Sequence, residues 1–250
     1  MQESTWRLFD RVAGEYDEVV PFFGSFGAAI VDALDPPAGT RFLDLGAGRG
    51  ALTGPALERG CVVTAVDAAP GMTALLAPAY PQASVLTMDA QDLGLPASSF
   101  DLVASAFVIH VLDRPADAVA GAFRVLAPGG RFALTSGGRP TSGFVAGLDA
   151  LFAEFSAYLP PGGSMGAPLT PTELLADFAD VHEVFVDSSV HIPDNDVLWR
   201  WVMSHGYRAF IEDLPPDRRA EFRSRVLDLP LGDGMLRRSS GLWIGTRPPG

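Results

Sequence analysis

The segment LDLGAGRG (residues 43–50) decides the fold that we expect for this chain of 250 residues. It begins in an apolar run, RFLDL (residues 41–45), that predicts a buried strand, and its glycines predict a tight turn into a helix. Glycines in such a turn let the backbone approach a ligand closely, and the first N–H groups of the helix face that ligand. The turn alone leaves the ligand open, because Gly46, Gly48 and Ala51 also satisfy the loose G-x-G-x-x-G/A pattern of dinucleotide-binding proteins.

Further apolar runs of strand length follow, and the first of them alternate with helical segments. These runs are VVTAVD (residues 62–67), SVLTMD (84–89), DLVASAF (101–107), RFALTS (131–136), a sixth run at 181–190 and GLWIGT (241–246). The alternation predicts βαβ units in a parallel sheet, whose strands are apolar throughout because helices cover both faces. We therefore predict an α/β fold, a Rossmann-like three-layer sandwich with seven strands and a helical cap.

Helices are predicted outside the alternating core as well. Two precede the first strand and lie at residues 6–20 and 26–34, and two follow the fifth strand and lie at residues 144–158 and from Thr170 onward. A long helix is predicted from Asp194 or Asn195 to Leu214, followed by another at residues 216–227. These late helices fall between the sixth and seventh strands, or just before the sixth, where they can only cover one end of the sheet.

The composition excludes several classes of function. A net charge of −12 argues against nucleic-acid and anionic-membrane partners, because their phosphates require basic patches. All 18 basic residues are arginine, which excludes Schiff-base chemistry and a Walker A loop, since both need lysine. Cys61 stands alone and no His/Cys cluster has ligand spacing, so we expect neither an internal disulfide nor a metal site. No apolar run is long enough for a transmembrane helix, and we expect a cytoplasmic protein.

Acidic residues at the predicted strand ends help to separate the candidate ligands. Asp67 ends the second strand, where a carboxylate can hold both hydroxyls of a ribose, and it suits NAD and S-adenosylmethionine equally. Asp44 stands two residues before Gly46, and a carboxylate there suits the ammonium group of a methionine better than a pyrophosphate. Asp89 and Ala90 end the third strand, where they can meet an adenine amino group.

Three more segments complete a set of motifs. FDLV (residues 100–103) and LAPGGR (126–131) bracket the fourth strand and its helix, and FDRVAGEYD (9–17) precedes the core. Together with the glycine turn and the acidic strand ends, they closely resemble the class I S-adenosylmethionine-dependent methyltransferases. Within these, the match is to the ubiquinone/menaquinone-type group that acts on small molecules. The resemblance covers about residues 9–136 and rests on several motifs in the expected order.

The resemblance implies both a topology and a cofactor site. The last of seven strands is expected to be antiparallel and to lie between the fifth and the sixth. The cofactor is expected to be S-adenosylmethionine, with the backbone of residues 46–48 facing its methionyl part, Tyr16 near its carboxylate and Met72 packed on adenine. The full set of residues expected to bind it is Tyr16, Asp44, Gly46, Ala47, Gly48, Asp67, Ala68, Met72, Asp89, Ala90 and Phe107.

The region after residue 136 carries no motif that we can assign, so the methyl acceptor is not implied by the resemblance. Its abundant aromatic residues favour a hydrophobic or aromatic natural product. The residues expected to contact the acceptor are Phe22, Phe23, His110, Trp201 and His205. The two histidines are also the candidate catalytic bases, which methyl transfer needs only when the nucleophile carries a proton. We expect the helix that ends at Leu214 to form a mobile cover over the acceptor.

One domain is expected over residues 1–250. It comprises an N-terminal helical cap (1–38), a cofactor-binding core (39–137) and an acceptor-side half (138–250), and a homodimer stays open beside a monomer. Three other functions also stay open. They are a cyclase or pericyclase that binds the same cofactor without methyl transfer, an NAD-dependent oxidoreductase, and a ligand sensor with an inactive site. The oxidoreductase is disfavoured by Asp44 and by the lack of a Tyr-x-x-x-Lys pair.

Overall fold

The fold is built on one seven-stranded sheet, in a computed structural model that describes residues 5–140, 144–160 and 169–250. Residues 1–4 of the predicted cap, and 141–143 and 161–168 of the predicted acceptor-side half, lie outside the described residues. The strands are β1 (Arg41–Leu45), β2 (Val62–Asp67), β3 (Ser84–Thr87), β4 (Phe100–Ser105), β5 (Leu126–Pro140), β6 (Ala179–His191) and β7 (Met235–Thr246).

The order of the strands in the sheet is β3-β2-β1-β4-β5-β7-β6. The first five strands pair in parallel, whereas β7 runs antiparallel to both of its neighbours, β5 and β6. In the centre, Leu45 of β1 pairs with Val66 of β2, so the carboxyl ends of these strands meet at one edge. The predicted fold class and the antiparallel last strand between the fifth and sixth are confirmed.

The helices connect the strands and extend beyond them. They are α1 (Thr5–Val12), α2 (Phe22–Leu34), α3 (Thr53–Glu58), α4 (Pro70–Ala79), α5 (Pro115–Val125), α6 (Phe144–Phe155), α7 (Pro171–Leu174), α8 (Asn195–Met203), α9 (Tyr207–Asp213) and α10 (Pro216–Leu227), with 3₁₀ turns at Ile109–Val111 and Ser156–Tyr158. Asp194 caps α8, because its carboxylate accepts a hydrogen bond from the Val197 N–H at 2.7 Å. Among the described residues, no helix is long and apolar enough to span a membrane.

Two predicted helices are wrong in extent. The helix expected over residues 195–214 is broken between α8 and α9, where the Ser204 hydroxyl donates to the Trp201 carbonyl at 2.8 Å and Gly206 follows. Both residue types weaken a helix, since the serine side chain competes for a backbone group and glycine is flexible. The helix expected over residues 6–20 ends at Val12, and the chain then turns through Asp17, whose φ is +59°.

Alternate side chains of the strands face two separate apolar clusters. On β1, Phe42 belongs to one cluster, and Leu43 and Leu45 belong to the other. The first cluster includes residues of α2, α6 and the late helices α8 to α10, whereas the second includes the apolar side of α5. Helices thus cover both faces, which explains why the strands are apolar throughout. The late helices therefore pack onto the sheet on the same side as α2.

Candidate active site

The glycine turn after β1 is held against β2 by backbone hydrogen bonds. The N–H groups of Gly46 and Ala47 both donate to the Val66 carbonyl at 2.9 Å. Gly46 has a φ of +79° and Gly48 a φ of +52°, in the left-handed region that favours glycine. A Cβ atom on Gly46 would also overlap both methyl groups of Val108. The turn therefore keeps its shape only with glycine at this position.

Asp67 at the end of β2 joins the turn to the next helix. Its carboxylate accepts hydrogen bonds from the N–H groups of Gly48 and Ala69, each at 2.8 Å. Burial raises the pKa of this carboxyl above its usual value, although the two backbone donors oppose the shift. The side chain thus braces the glycine turn and still keeps lone pairs that a ligand hydroxyl can use.

Asp44 lies deeper, below the same turn. It is 1% exposed, and its carboxylate accepts a hydrogen bond from the Thr53 hydroxyl at 2.6 Å. Burial raises its pKa to about 7, and the negative charge of Asp67 adds to the shift. A cation that reaches this carboxyl would lower its pKa again, so the group is suited to binding a positive charge rather than to standing ionised alone.

Two adjoining cavities open at this edge of the sheet. The larger has a volume of about 660 Å³, partly open to solvent, and is lined by Trp6, Phe9, Tyr16, Gly46, Gly48, Asp67, Ala68, Met72, Met88, Asp89, Ala90, Ala106, Phe107, Val108, Val111 and Leu112. The smaller has a volume of about 390 Å³ and is lined by Tyr16, Asp17, Phe23, Asp44, Gly46, Ala47, Gly48, Arg49, Ala51, Leu52, Ala106 and Phe107. The residues that they share make them two ends of one cleft.

The N-terminal segment forms one wall of the cleft. Tyr16 stacks on Phe23 with ring centroids 4.8 Å apart and planes inclined by 11°, and the edge of Phe9 lies 6.0 Å from Tyr16. The Asp17 carboxylate caps α2 by accepting the N–H groups of Phe23 and Gly24 at 2.8 Å. Burial raises the pKa of Asp17 to about 6, against the effect of these backbone donors. The capping explains why the chain turns at Asp17.

Three contacts tie this segment to the core. Asp10 Oδ1 accepts a hydrogen bond from the Gly71 N–H, at the start of α4, at 2.6 Å. The Arg49 guanidinium, which belongs to the glycine turn, donates to the Ala13 carbonyl at 2.8 Å and pairs with Glu18. The turn and the segment are therefore fastened together directly across the cleft.

The far end of the larger cavity is apolar. Met72 is buried beside Ala69, whereas Met88, Val111 and Leu112 line the cavity without having been predicted. The Asp89 carboxylate accepts hydrogen bonds from the Gln91 backbone N–H at 2.9 Å and from its amide at 3.1 Å. A planar, mostly apolar ligand group fits this end, with one acidic edge.

All eleven residues predicted to bind the cofactor line one of the two cavities. The lining residues that were missed include Met88 and Val108, which are sequence neighbours of the predicted Asp89 and Phe107, and Phe9, whose ring packs on Tyr16. Phe107 has a φ of +60°, rare for a phenylalanine, and its N–H donates to the Thr135 hydroxyl at 2.7 Å. Such a conformation persists only where surrounding contacts hold it, as they commonly do at binding sites.

Of the five residues predicted to contact the acceptor, only one lines a cavity. Phe23 lines the smaller cavity, but Phe22, His110, Trp201 and His205 line neither cavity. His110 lies in the 3₁₀ turn after β4, where burial lowers its pKa. Four of these five side chains gather into what we call the ring cluster, together with Tyr207. The cluster consists of Phe22, Phe23, Trp201, His205 and Tyr207, with neighbouring ring centroids 4.6 to 6.0 Å apart.

His205 lies in the break between α8 and α9, at the centre of the ring cluster. It is 6% exposed, and burial lowers its pKa to about 4, with a smaller lowering from the charge of Arg238. The cleft and the cluster thus differ in chemistry. Carboxyl groups and bare backbone line the first, and neutral rings fill the second. No group of His, Cys, Asp and Glu in the described parts of the chain is arranged to hold a metal ion.

Comparisons with known proteins agree with this geometry. A family described as a methyltransferase domain matches residues 43–134, from β1 into β5. Nocamycin O-methyltransferase of Saccharothrix syringae is 34% identical over 248 residues, in an alignment that covers 88% of each chain. The aklanonic acid methyltransferase of Streptomyces sp. (strain C5) is 38% identical over 154 residues, which are 54% of this chain and 68% of that protein.

A solved structure shares the fold. Phosphoethanolamine N-methyltransferase 2 of Haemonchus contortus, in complex with S-adenosyl-L-methionine, has a TM-score of 0.58 at 18% identity. The superposition covers 96% of this chain and 57% of that one. The similarity to the Saccharothrix syringae protein extends through the acceptor-side half as well, where the sequence by itself carried no motif.

Proposed function

Because the chain belongs to the class I S-adenosylmethionine-dependent methyltransferases, we propose that it methylates a small, apolar natural product. The two relatives described above are named for nocamycin and for aklanonic acid, and both names support an acceptor of this kind. The observation that carries the proposal is the cleft itself. The glycine turn lies between the buried carboxyl of Asp44, in the smaller cavity, and the half-buried carboxyl of Asp67, in the larger, whose far end is lined by apolar side chains.

The residues of the cleft fit S-adenosylmethionine. Asp44 would face the ammonium group of the methionyl part, and Asp67 would accept the ribose hydroxyls. Gly46 and Gly48 line both cavities with bare backbone, which lets a ligand approach closely. Met72, on the wall of the larger cavity, would pack on the adenine ring. We assign these roles as part of the proposal.

When bound, the cofactor supplies an electrophilic methyl group on a sulfonium. The protein orients the reactants and excludes water, and orientation alone can lower the barrier to such a transfer by about 7–11 kcal/mol. Tyr16 and Phe23 lie face to face along the cleft and exclude water from its wall. Phe107, held in its unusual conformation by Thr135, lines both cavities where they adjoin.

The histidines are weak bases in this environment. Burial lowers the pKa of His205 to about 4 and also lowers that of His110, so both are neutral at pH 7. A general base works best when its pKa is near the working pH. The site therefore suits an acceptor whose nucleophile is already ionised in water, such as a carboxylate or an acidic enol, and His110 and His205 stay candidates for positioning it.

The test is turnover with a panel of aromatic carboxylic acids and acidic enols, with S-adenosylhomocysteine measured as the product. Release of one S-adenosylhomocysteine per methylated product is expected. A cyclised product without consumption of S-adenosylmethionine would instead favour the cyclase alternative. Preferential binding of NAD in calorimetry would favour the oxidoreductase, and tight cofactor binding without turnover of any panel member would favour the sensor.

The remaining expectations about partners are part of this proposal. The net charge of −12 supports a small molecule rather than a nucleic acid as the partner, and we place the enzyme in the cytoplasm. Binding to duplex DNA at low salt would contradict the expectation of a small-molecule partner, since electrostatic binding to nucleic acid is strongest at low salt. Light scattering distinguishes a homodimer from a monomer, and fractionation of cells tests the location.

A further inference from the structure

Two polar atoms in the ring cluster have no hydrogen-bond partner among the residues that the structure describes. They are Nε1 of Trp201 and Nδ1 of His205, on side chains that are 2% and 6% exposed. The two rings are neighbours, with centroids 4.6 Å apart and planes inclined by 46°. Most buried polar atoms in proteins are paired, and leaving one unpaired costs about 1–3 kcal/mol. Two such atoms side by side therefore need an explanation.

Among the described residues, the rings packed around the pair are mostly apolar, although the Trp201 carbonyl approaches His205 and acts to raise its pKa against the effect of burial. Phe22 lies edge-on to Trp201 with centroids 5.2 Å apart, and Phe23 lies edge-on to His205 at 5.5 Å. Tyr207 is the only neighbouring ring of the cluster with a hydroxyl, and its oxygen accepts a hydrogen bond from Arg238 at 3.5 Å. That bond uses one lone pair of the hydroxyl, and neither Nε1 of Trp201 nor Nδ1 of His205 is hydrogen-bonded to the same oxygen.

Arg238 is itself neutralised. Its guanidinium makes two hydrogen bonds of 2.6 Å to the Asp149 carboxylate, one to each oxygen. It is 5% exposed and holds Tyr207 in place rather than offering a free positive charge. The region around the two unpaired atoms consequently carries no free charge of either sign, because His205 is neutral at pH 7.

Phe23 connects the pair to the cleft. Its ring lines the smaller cavity on one side and contacts His205 on the other. The unpaired atoms therefore lie one ring behind the end of the cleft that we assign to the methionyl part of the cofactor. The pair itself lines neither cavity, so a ligand would reach it from the smaller cavity only if the Phe23 ring moved aside.

We propose that Trp201 and His205 are positioning residues that hold a neutral carbonyl oxygen of the methyl acceptor, with the Trp201 indole N–H as the donor. This inference rests on the proposed function and narrows its substrate class to apolar compounds that carry a ketone or similar carbonyl beside the nucleophile. A carboxylate is a poor fit at this second position, because burying it beside neutral groups without a cation is costly.

The proposal is tested with 1-tetralone, a bicyclic aromatic ketone, against tetralin, which has the same shape without the oxygen. The protein is labelled with ¹⁵N at its four tryptophans and saturated with S-adenosylhomocysteine. The Trp201 indole signal, assigned by its loss in Trp201→Phe, is expected to move downfield with 1-tetralone and not with tetralin. Equal responses to both probes, or no response to either, would overturn the proposal.

A matched pair of variants gives a second readout. Trp201→Phe should weaken 1-tetralone binding about tenfold, the usual effect of one lost neutral hydrogen bond. Trp199→Phe changes the same residue type on the same helix, where the ring faces Arg223 rather than the cluster, and should leave binding unchanged. Equal affinities for the two variants would contradict the assignment.

Stability without ligand separates this role from a structural one. Trp201→Phe removes an unpaired N–H together with buried ring volume, so its free energy of unfolding should fall only by the cost of the resulting cavity. A larger loss of stability in the absence of ligand would mean that the indole N–H has a partner in the fold. Failure of S-adenosylhomocysteine to bind would contradict the proposed function, whereas normal cofactor binding without the tetralone response contradicts only this inference.

Discussion

The cleft and the ring cluster recognise ligands in different ways, although Phe23 belongs to both. In the cleft, the shape comes from backbone atoms of residues 46–48, and the charge comes from Asp44 and Asp67. In the ring cluster, the shape comes from large side chains of two distant segments, and the polar atoms are neutral. A site shaped by backbone atoms fits one ligand, here the cofactor, and single substitutions change it little. A site shaped by side chains can be changed by single substitutions, which suits a methyl acceptor that differs from one enzyme to another.

The buried titratable groups of the two regions respond to pH in opposite directions. Burial raises the pKa of Asp44 to about 7, and burial lowers the pKa of His205 to about 4. Protonation of Asp44 therefore stabilises the ligand-free cleft, whereas protonation of His205 destabilises the ring cluster. The following experiments use this contrast, from the largest expected effect to the smallest.

Gly46→Ala should have the largest effect on the cleft. The substitution adds a Cβ atom that overlaps Val108 and forces a non-glycine residue to a φ of +79°. Cofactor affinity should fall more than a hundredfold, and urea unfolding should show a loss of about 2–4 kcal/mol from strain and overpacking together. Gly129→Ala is the matched control, because Gly129 has the same φ but open space around it. It should show the strain alone and normal cofactor affinity.

Asp67→Ala should weaken S-adenosylmethionine binding by about 1.5–3 kcal/mol, the usual value for hydrogen bonds to a charged group. The carboxylate also braces Gly48 and Ala69, so the circular dichroism of the variant must first match that of the parent. Calorimetry gives the affinity. Asp101→Ala serves as the control, since Asp101 pairs with Arg41 at the opposite edge of the sheet. Unchanged affinity in a folded Asp67 variant would remove this residue from the site.

Asp44 should make cofactor binding depend on pH. Its pKa of about 7 means that the carboxyl is mostly protonated at pH 6, and pairing with the ligand's ammonium requires its ionisation. Affinity should therefore rise about fivefold between pH 6 and 7 and about tenfold in all by pH 8, where it levels off. Asp44→Asn should abolish this dependence and bind more weakly at pH 8. A parent affinity that is flat between pH 6 and 8 would show that the ammonium group does not reach Asp44.

His205 should affect stability in acid rather than cofactor affinity. Its pKa in the folded state lies below its ordinary value of 6.5, so its contribution is present above pH 6.5 and is lost as the pH falls through about 4. The shift corresponds to at most about 3 kcal/mol. His205→Phe should therefore flatten the loss of stability between pH 6.5 and 4, as followed by urea unfolding. If His205→Phe loses as much stability between pH 6.5 and 4 as the parent does, His205 is accessible to solvent in the folded state.

Chelation should have no effect on either region. The carboxyl groups of the cleft are committed to backbone and hydroxyl donors, and no metal-ligand cluster is found in the described residues. We expect turnover within experimental error after treatment with a chelator. Loss of activity that added Mg²⁺ restores would show that a divalent ion takes part.

The cleft could be predicted from the sequence to a greater extent than the ring cluster. The bounds of β1 and β2 were predicted to the residue, because short apolar runs end at the acidic and glycine residues of the same loops. The predicted cofactor residues lie within these loops, so local spacing carries the information. β5 and β7 are longer than predicted, since their extra residues pair with each other across the sheet and show no local pattern.

The ring cluster depends on contacts that are distant along the chain. Phe22 meets Trp201 across almost 180 positions of the chain, and His205 lies in the break that follows Met203. The apolar spacing of residues 198–209 is compatible with one continuous helix, so the break could not be read from periodicity. Aromatic residues were predicted to form the acceptor side, but the sequence does not indicate which of their polar atoms lack a partner.

Helix α1 touches both regions at once. Asp10 holds the start of α4 beside the cleft, and the neighbouring Arg11 pairs with Glu212 of α9, beyond the ring cluster. The ion pair is exposed and contributes at most about 1 kcal/mol. A displacement of α1 would therefore break it at little cost, and the same displacement would loosen contacts beside the cleft and beyond the ring cluster together.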